Sequence, residues 1–212
     1  MLRYLYADQL HLFPRLAHSM FTDRADQFAR RLEWPVNVDE NGEERDHYDA
    51  LNPLYVIWEE PDGRHGGSMR FLPTTGRVMV NEVFPHLLGG GSVVSPLIWE
   101  CTRFCLAAKA APRVAAALML GGGEIMKQFG VRHFVGVFDA RMVRIYRMIG
   151  SSPEVLGSDG TGREQISVGL WSFSEEARRQ VARRANISPQ LSRLWFDRSF
   201  GAPPVAQHMA LA

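Results

Sequence analysis

Cysteine is almost missing from this 212-residue chain, with Cys101 and Cys105 its only two. They stand four apart in a segment rich in Ile, Trp, Thr and Phe, which reads as a strand. Strand geometry spreads such residues over about 13 Å on one face, too far for a disulfide. Two buried thiols in a reducing cytoplasm are expected. Near the N-terminus no unbroken apolar stretch is long enough for a signal peptide, and Asp8 falls early. The longest apolar run, residues 114–120, is far short of a bilayer span, so no membrane partner is expected. Repeats and low-complexity segments are also lacking.

The common catalytic signatures are missing too. There is no Gly-x-Ser-x-Gly elbow and no His-Glu-x-x-His. The seven histidines, at 11, 18, 47, 65, 86, 133 and 208, show no metal-ligand spacing, so no metal is expected. The glycine triplets at 89–91 and 121–123 fit neither a P-loop nor a dinucleotide fingerprint and read as punctuation of a loop and a helix. No helix-turn-helix, zinc-finger or RNA-binding signature occurs, which argues against nucleic acid.

What remains is a globular composition, 46% hydrophobic and 22% charged, enough for a packed core. The net charge of +1 hides an asymmetry. Residues 1–60 carry six arginines and twelve acids; residues 101–150 carry eight basic residues against Glu124 and Asp139. The basic middle suggests an acidic partner, although a solvated helix face explains it equally on charge alone.

Periodicity predicts a strand at 2–6, a helix over 11–31, a polar loop at 37–52 and a hairpin of strands 54–58 and 67–72 about the turn Glu60-Pro-Asp-Gly63. A strand at 97–106 leads to an Ala- and Met-rich helix over 111–129, closed by Gly130. A strand at 131–138 follows, then a helix capped by Asp139 that ends at Gly150. A strand at 165–171 and a polar helix opened by Ser174 come last, and the Pro-containing stretch after Ser188 is weakly specified. The fold class expected is α/β: one domain over residues 1–212, a mixed sheet flanked by helices. Its strand–helix–strand–helix run at 97–150 resembles the acyl-CoA N-acyltransferase (GNAT-like) layout, an analogy that leaves the chemistry open.

Four clusters of residues narrow it. They are Arg24-x3-Phe28-x5-Trp34, Asp46-x2-Asp49, Gly67-Ser68-x-Arg70-Phe71 with Phe84 following, and Glu100-x2-Arg103-Phe104. In this order and spacing they resemble the LuxI-type acyl-homoserine-lactone synthases, or autoinducer synthases. The resemblance covers the first half by motif and runs on through residues 131–150. It implies quorum-sensing signal synthesis from S-adenosylmethionine and an acyl thioester. S-adenosylmethionine is then a substrate, and no cofactor is expected. The N-terminal region, 1–52, would bind it and be partly mobile; 53–173 would form the acyltransferase core, and 174–212 a C-terminal helix and tail.

The chemistry of the residues is compatible with that. Phe28 and Trp34 offer aromatic faces to a sulfonium or an adenine, although both also suit a core. Arg24 can fork onto a carboxylate. Asp46 and Asp49 can take an ammonium or ribose hydroxyls, or can be part of a solvated acidic loop. Arg70, Glu100 and Arg103 lie on otherwise apolar strands, where charge is seldom buried unpaired. A structural Arg70–Glu100 ion pair is one account, and a catalytic group the other. Glu100 and Arg103 are three apart and would face opposite ways on a regular strand, so one shared cleft requires a bulge. Glu100 is the candidate base for the ammonium of S-adenosylmethionine.

Acetyltransferases hold coenzyme A with a glycine-rich turn, and the matching stretch here, LAAKAAPRV at 106–114, has no glycine. That favours acyl carrier protein over acyl-CoA as donor, docking at Lys109, Arg113, Arg144 and Arg147. The acyl pocket is expected to draw on Phe84, Phe104, Met119, Met126, Gly136, Phe138 and Met142. In the resembling family, 3-oxo-specific synthases tend to carry threonine where Gly136 stands, so unsubstituted chains of medium or greater length are expected here. A general N-acetyltransferase using acetyl-CoA and a non-enzymatic acyl-binding protein are the alternatives.

Overall fold

The computed structural model describes residues 1–201, which form a seven-stranded sheet in the order β1-β2-β3-β4-β5-β7-β6. The strands are β1 (Leu2–Tyr6), β2 (Leu54–Glu59), β3 (His65–Pro73), β4 (Ile98–Leu106), β5 (His133–Asp139), β6 (Glu154–Asp159) and β7 (Ile166–Ser172). The helices are α1 (Pro14–Ala25), α2 (Met79–Glu82), α3 (Arg113–Phe129), α4 (Ala140–Ile149), α5 (Glu175–Ala185) and α6 (Pro189–Phe200). All neighbours pair antiparallel except β4 and β5. That parallel pair is joined only at Ile98–His133, Trp99–Phe134 and Glu100–Val135. Beyond Glu100 the ladder stops, which leaves a wedge at the centre of the sheet.

The sheet is covered on both faces, so β2 and β3 are buried almost throughout; β2 runs apolar without alternation, whereas β3 carries His65, Ser68 and Arg70 within its buried run. On one face α3, α5 and α6 close over Leu2, Val56, Met69, Phe71 and Phe134. On the other, α1 sets Leu16, Met20 and Phe21 against Tyr55 and Ile57. Each such side chain contributes about 1.5–3 kcal/mol by leaving water. A third cluster, including Tyr48, Leu72, Val78, Val80 and Val135, lies beside the parallel pair.

The caps fall where the sequence puts them. Asp139 accepts from the Arg141 N–H, Ser174 from Ala177, and Gly130 ends α3 at φ 69°. Two elements are not legible in advance. Strand β6 is an edge strand exposed along nearly its whole length, so it lacks the apolar alternation that marks a half-buried strand. Helix α6 begins where the chain reads as weakly specified. Its proline is the first residue of the helix, where the missing N–H costs nothing, and Ser188 caps it by accepting from Leu191. The helix read over 11–31 is an α-helix that widens into a π-turn at Asp26–Arg31. The end of the expected tail, residues 202–212, lies outside the described residues.

Candidate active site

Three arginines from three elements meet three carboxylates from one short segment. Arg24, at the end of α1, gives Nε to Glu44 at 2.6 Å and both terminal nitrogens to Asp49 at 3.0 and 2.9 Å. Arg70, from β3, reaches Asp49 at 2.8 Å, Asp46 at 2.9 Å and Thr102 Oγ1 at 3.1 Å. Arg103, from β4, reaches Glu44 at 2.9 Å and Asp46 at 2.7 Å. Arg24, Arg70 and Glu44 are fully buried. An unpaired charge at such depth costs several kcal/mol, and here three positive and three negative groups offset one another. Burial alone would push the Asp49 carboxyl up; Arg24 and Arg70 outweigh it and hold the group far below the usual carboxylate range. Asp46 also caps the short turn His47–Leu51, accepting from Tyr48 and Asp49 N–H, so the carboxylates are fixed by backbone as well as by charge.

The expected bulge is present. Pairing of β3 with β4 slips between Ser68 and Arg70, and Arg103 sits in the left-handed region at φ 53°. A non-glycine residue held there stores strain, a feature that clusters at functional sites. The kink turns Arg103 toward the carboxylates of Arg70.

Glu100 stands apart from this network. Its two oxygens accept from Met79 N–H at 3.0 Å and Val80 N–H at 2.5 Å, which anchors the start of α2. Among the described residues Arg70 pairs with Asp46 and Asp49, and no Arg70–Glu100 ion pair forms. Burial raises the Glu100 carboxyl to about 7, with the two N–H bonds and Arg70 pulling the other way.

The two aromatic residues pair with each other, a contact that their spacing does not announce. Phe28, in the π-turn, stacks on Trp34 with centroids 5.3 Å apart and planes 8° from parallel. Phe28 is buried and Trp34 is 40% exposed, so one indole face is open to a ligand. Arg103 lies over the Phe28 ring at 5.4 Å, beside a depression bordered by Pro35, Asn37, Asp46 and His47.

A second opening enters the wedge between β4 and β5. It is a cavity of about 100 Å³ walled by α3, β4, β5, β7 and α5, with Thr102 and Arg103 in its lining. Phe104, Met119, Met126 and Gly136 line it, as expected. Phe84, Phe138 and Met142 are not among its lining residues. Phe84 packs beside Tyr48 and Val80, and Phe138 stands edge-on to Tyr146 and Trp171. Met69, Tyr146, Trp171 and Arg178 line the cavity without having been singled out. Trp171 carries a strand signal only, and nothing in the local sequence marks Arg178. A Cβ at Gly136 would lie 2.7 Å from the Cys101 carbonyl oxygen, so the close passage of β5 past β4 at the wedge requires glycine there. Of the four basic residues expected to dock a carrier, Lys109 and Arg113 stand exposed at the start of α3 and Arg144 and Arg147 on α4. Among the described residues none of them has an acidic partner. No group of His, Cys, Asp or Glu among the described residues is placed to hold a metal, and no helix there is long and apolar enough to cross a membrane.

A mixed sheet whose single parallel pair parts around a cavity defines an acyltransferase fold. An acyl-CoA N-acyltransferase from Pseudomonas aeruginosa superposes with a TM-score of 0.53 at 12% identity, over 81% of this chain and 99% of that one, a likeness of fold alone. The match is stronger within one branch of that fold. The autoinducer synthase family model matches residues 11–181. An acyl-homoserine-lactone synthase of Rhizobium etli is 39% identical over 195 residues, 89% of this chain and 91% of that one. The CoA-dependent acyl-homoserine lactone synthase MesI superposes with a TM-score of 0.78 at 25% identity, covering 90% of this chain and 98% of that one. The chain belongs to the autoinducer synthase family and is an acyltransferase of the acyl-homoserine-lactone synthase type.

Proposed function

We propose that this synthase joins the α-amine of S-adenosylmethionine to an acyl thioester and then closes the lactone with loss of methylthioadenosine. The observation that carries this reading is the arginine–carboxylate network, which lies between an open aromatic face and an apolar cavity and shares Arg103 with both. Trp34 and Phe28 offer stacking for the sulfonium or adenine. Asp46, the most accessible of the three network carboxylates, offers an acceptor to the ammonium. Arg24 and Asp49 hold that surface in place.

Amide formation requires a neutral amine, so a base must take its proton. Glu100 is assigned that role, directly or through a water. A carboxyl with a pKa of about 7 is half ionised near neutrality and matched to this task. The amine then attacks the thioester carbonyl at the wedge, where β4 edge amides freed from β5 are available to the oxyanion. As the oxyanion collapses, the thioester C–S bond breaks and the sulfur leaves as the thiol, carrying the proton that the new amide nitrogen gives up. Lactonisation follows within one molecule: the carboxylate oxygen attacks the γ-carbon, the C–S bond breaks, and methylthioadenosine leaves. Holding the chain bent supplies most of that step.

Acyl carrier protein is proposed as the donor, supported by the glycine-free turn before α3 and by Lys109, Arg113, Arg144 and Arg147, which have no acidic partner among the described residues. MesI, described as CoA-dependent, makes acyl-CoA the competing donor. The cavity of about 100 Å³ is smaller than the ~150 Å³ that holds a benzene in an engineered core, so chains beyond short length require Met69, Met119 and Met126 to rotate aside. The two thiols, both pushed up by burial, suit a cytoplasmic setting. The test is incubation of purified protein with S-adenosylmethionine and a panel of acyl donors. Methylthioadenosine and an acyl lactone in equal amounts are expected, and no methylthioadenosine with any donor overturns the reading.

A further inference from the structure

The acyl cavity is not apolar throughout. On its α5 side it is lined by Arg178, a buried residue whose stem lies along Gly123 of α3. One terminal nitrogen, Nη2, faces the fully buried Glu124 at 3.4 Å. Glu124 also accepts from Ser192 Oγ at 3.0 Å and Gln128 Nε2 at 2.7 Å, so its charge is balanced and its oxygens are occupied. Arg178 Nε is different. It is buried, and among the described residues it has no hydrogen-bond partner. Such a donor costs about 1–3 kcal/mol if left unpaired, so buried groups of this kind usually have an occupant in the working state. Tyr4 Oη is the other buried side-chain atom without a partner there, but Tyr4 is not a lining residue.

The site specifies the chemistry of its ligand. Of the five N–H groups of this guanidinium, the Nε–H is the buried one without a partner among the described residues, and it asks for one acceptor. The Arg178–Glu124 pair is already neutral overall, so a second carboxylate would be left unbalanced in a low-dielectric pocket, whereas a neutral oxygen would not. Position also matters. The proposed reaction puts the carbonyl beside the freed β4 amides, near Thr102 and Arg103, whereas Arg178 enters the lining from α5. We propose that Arg178 is a specificity residue of the acyl cavity, donating Nε–H to a hydroxyl or carbonyl oxygen carried well along the acyl chain from the thioester. This rests on the acyl-thioester reading of the cavity.

The experiment uses the full chain, S-adenosylmethionine and hydroxyacyl donors of equal length, each presented on acyl carrier protein and on CoA, with the hydroxyl moved stepwise outward, beside the unsubstituted donor. Methylthioadenosine release gives kcat/KM. One outer position is expected to exceed the unsubstituted donor by about tenfold, the scale of a satisfied buried donor. Arg178→Lys puts a methylene where Nε stands and keeps a cation for Glu124. It is expected to bring the ratio of kcat/KM for the outer-hydroxyl donor to that for the unsubstituted donor down from about ten to about one. Should it fail to fold, Arg178→Met with Glu124→Gln removes the pair together and carries the same expectation. A wild-type series with no outer preference, as when Nε is held by a trapped water, overturns the inference, as does a preference that survives Arg178→Lys. Absence of turnover with every donor, the unsubstituted one included, overturns the acyl-thioester reading and this inference with it.

Discussion

Arg70 and Arg103 stand on adjacent strands and meet at one oxygen, Asp46 Oδ2, which accepts a hydrogen bond from Arg70 at 2.9 Å and ion-pairs with Arg103 at 2.7 Å. Only the bulge that places Arg103 at φ 53° allows this, since a regular β4 would turn Arg103 away from the face that carries Arg70. The strained residue, the slipped register and the loop carboxylate are therefore one device. It joins the segment at residues 44–49 to the wedge where β4 leaves β5.

The first prediction concerns Asp49, whose two oxygens serve Arg24, Arg70 and Tyr55. Asp49→Asn leaves two buried guanidinium groups short of a charge, at a cost of about 3 kcal/mol. The sign with pH follows from the depressed carboxyl. Its stabilisation is complete above the unfolded value of 3.8 and is lost as pH falls below it. Wild type should therefore lose stability steeply below about pH 4, and Asp49→Asn less steeply. Urea midpoints between pH 3 and pH 7 check this, and parallel curves for the two proteins would count against the network's role.

Glu100 carries the opposite sign. Its folded value of about 7 lies above the unfolded 4.5, so the folded state binds its proton more tightly. Stability contributed by that proton is full below about pH 4.5 and is lost as pH rises to about 7. Glu100→Gln should flatten that fall and keep the fold, because the amide oxygen can still accept one of the two N–H bonds from Met79 and Val80. Its turnover should drop by about 10²–10⁴-fold, the usual cost of losing a general base. Near wild-type turnover at neutral pH would remove Glu100 from the mechanism and leave it as the anchor of α2.

The motif residues show how far sequence reaches. Helix caps, the β2–β3 hairpin and the need for a bulge before Arg103 all follow from local spacing, because each is set by residues a few positions apart. Glu44 was not singled out, yet it holds both Arg24 and Arg103. It reads as one more acid in a polar loop, and only the tertiary pairing with α1 and β4 gives it meaning. Arg178 is hidden for the same reason: its partner is 54 positions away on α3, and its own helix α5 carries the surface arginines Arg179, Arg183 and Arg184 beside it. Edge strand β6 has no apolar face to report.

Gly136 supplies the third prediction. The side chain that would recognise a 3-oxo group cannot simply be added, since any Cβ meets the Cys101 carbonyl oxygen at 2.7 Å and backbone cannot rotate aside. Gly136→Thr should destabilise the protein by about 1–3 kcal/mol, the range for overpacking, and should not confer 3-oxo specificity. For wild type, unsubstituted donors should be favoured over 3-oxo donors of equal length. Steady-state kinetics on matched pairs decide it, and a tenfold preference for the 3-oxo chain, about 1.4 kcal/mol, would mean that another cavity group donates to it.

The last prediction concerns the donor. Arg144 and Arg147 are exposed on α4 and, among the described residues, have no acidic partner. Neutral solvation is one account of such residues, and an acidic partner that docks over them is the other. The two differ in their dependence on salt. Charge-steered association weakens as the Debye length falls from about 30 Å at 0.01 M ionic strength to about 10 Å at 0.1 M, whereas a solvated surface is indifferent. With acyl carrier protein as donor, KM should rise over that range while kcat holds. Arg144→Glu with Arg147→Glu should raise KM about tenfold and leave the KM for S-adenosylmethionine unchanged, because neither residue borders the aromatic pair or the arginine–carboxylate network. Acyl-CoA is the internal control: its KM should respond much less to the double reversal. Equal responses from the two donors, or a carrier KM that ignores salt, would place donor recognition elsewhere on the surface.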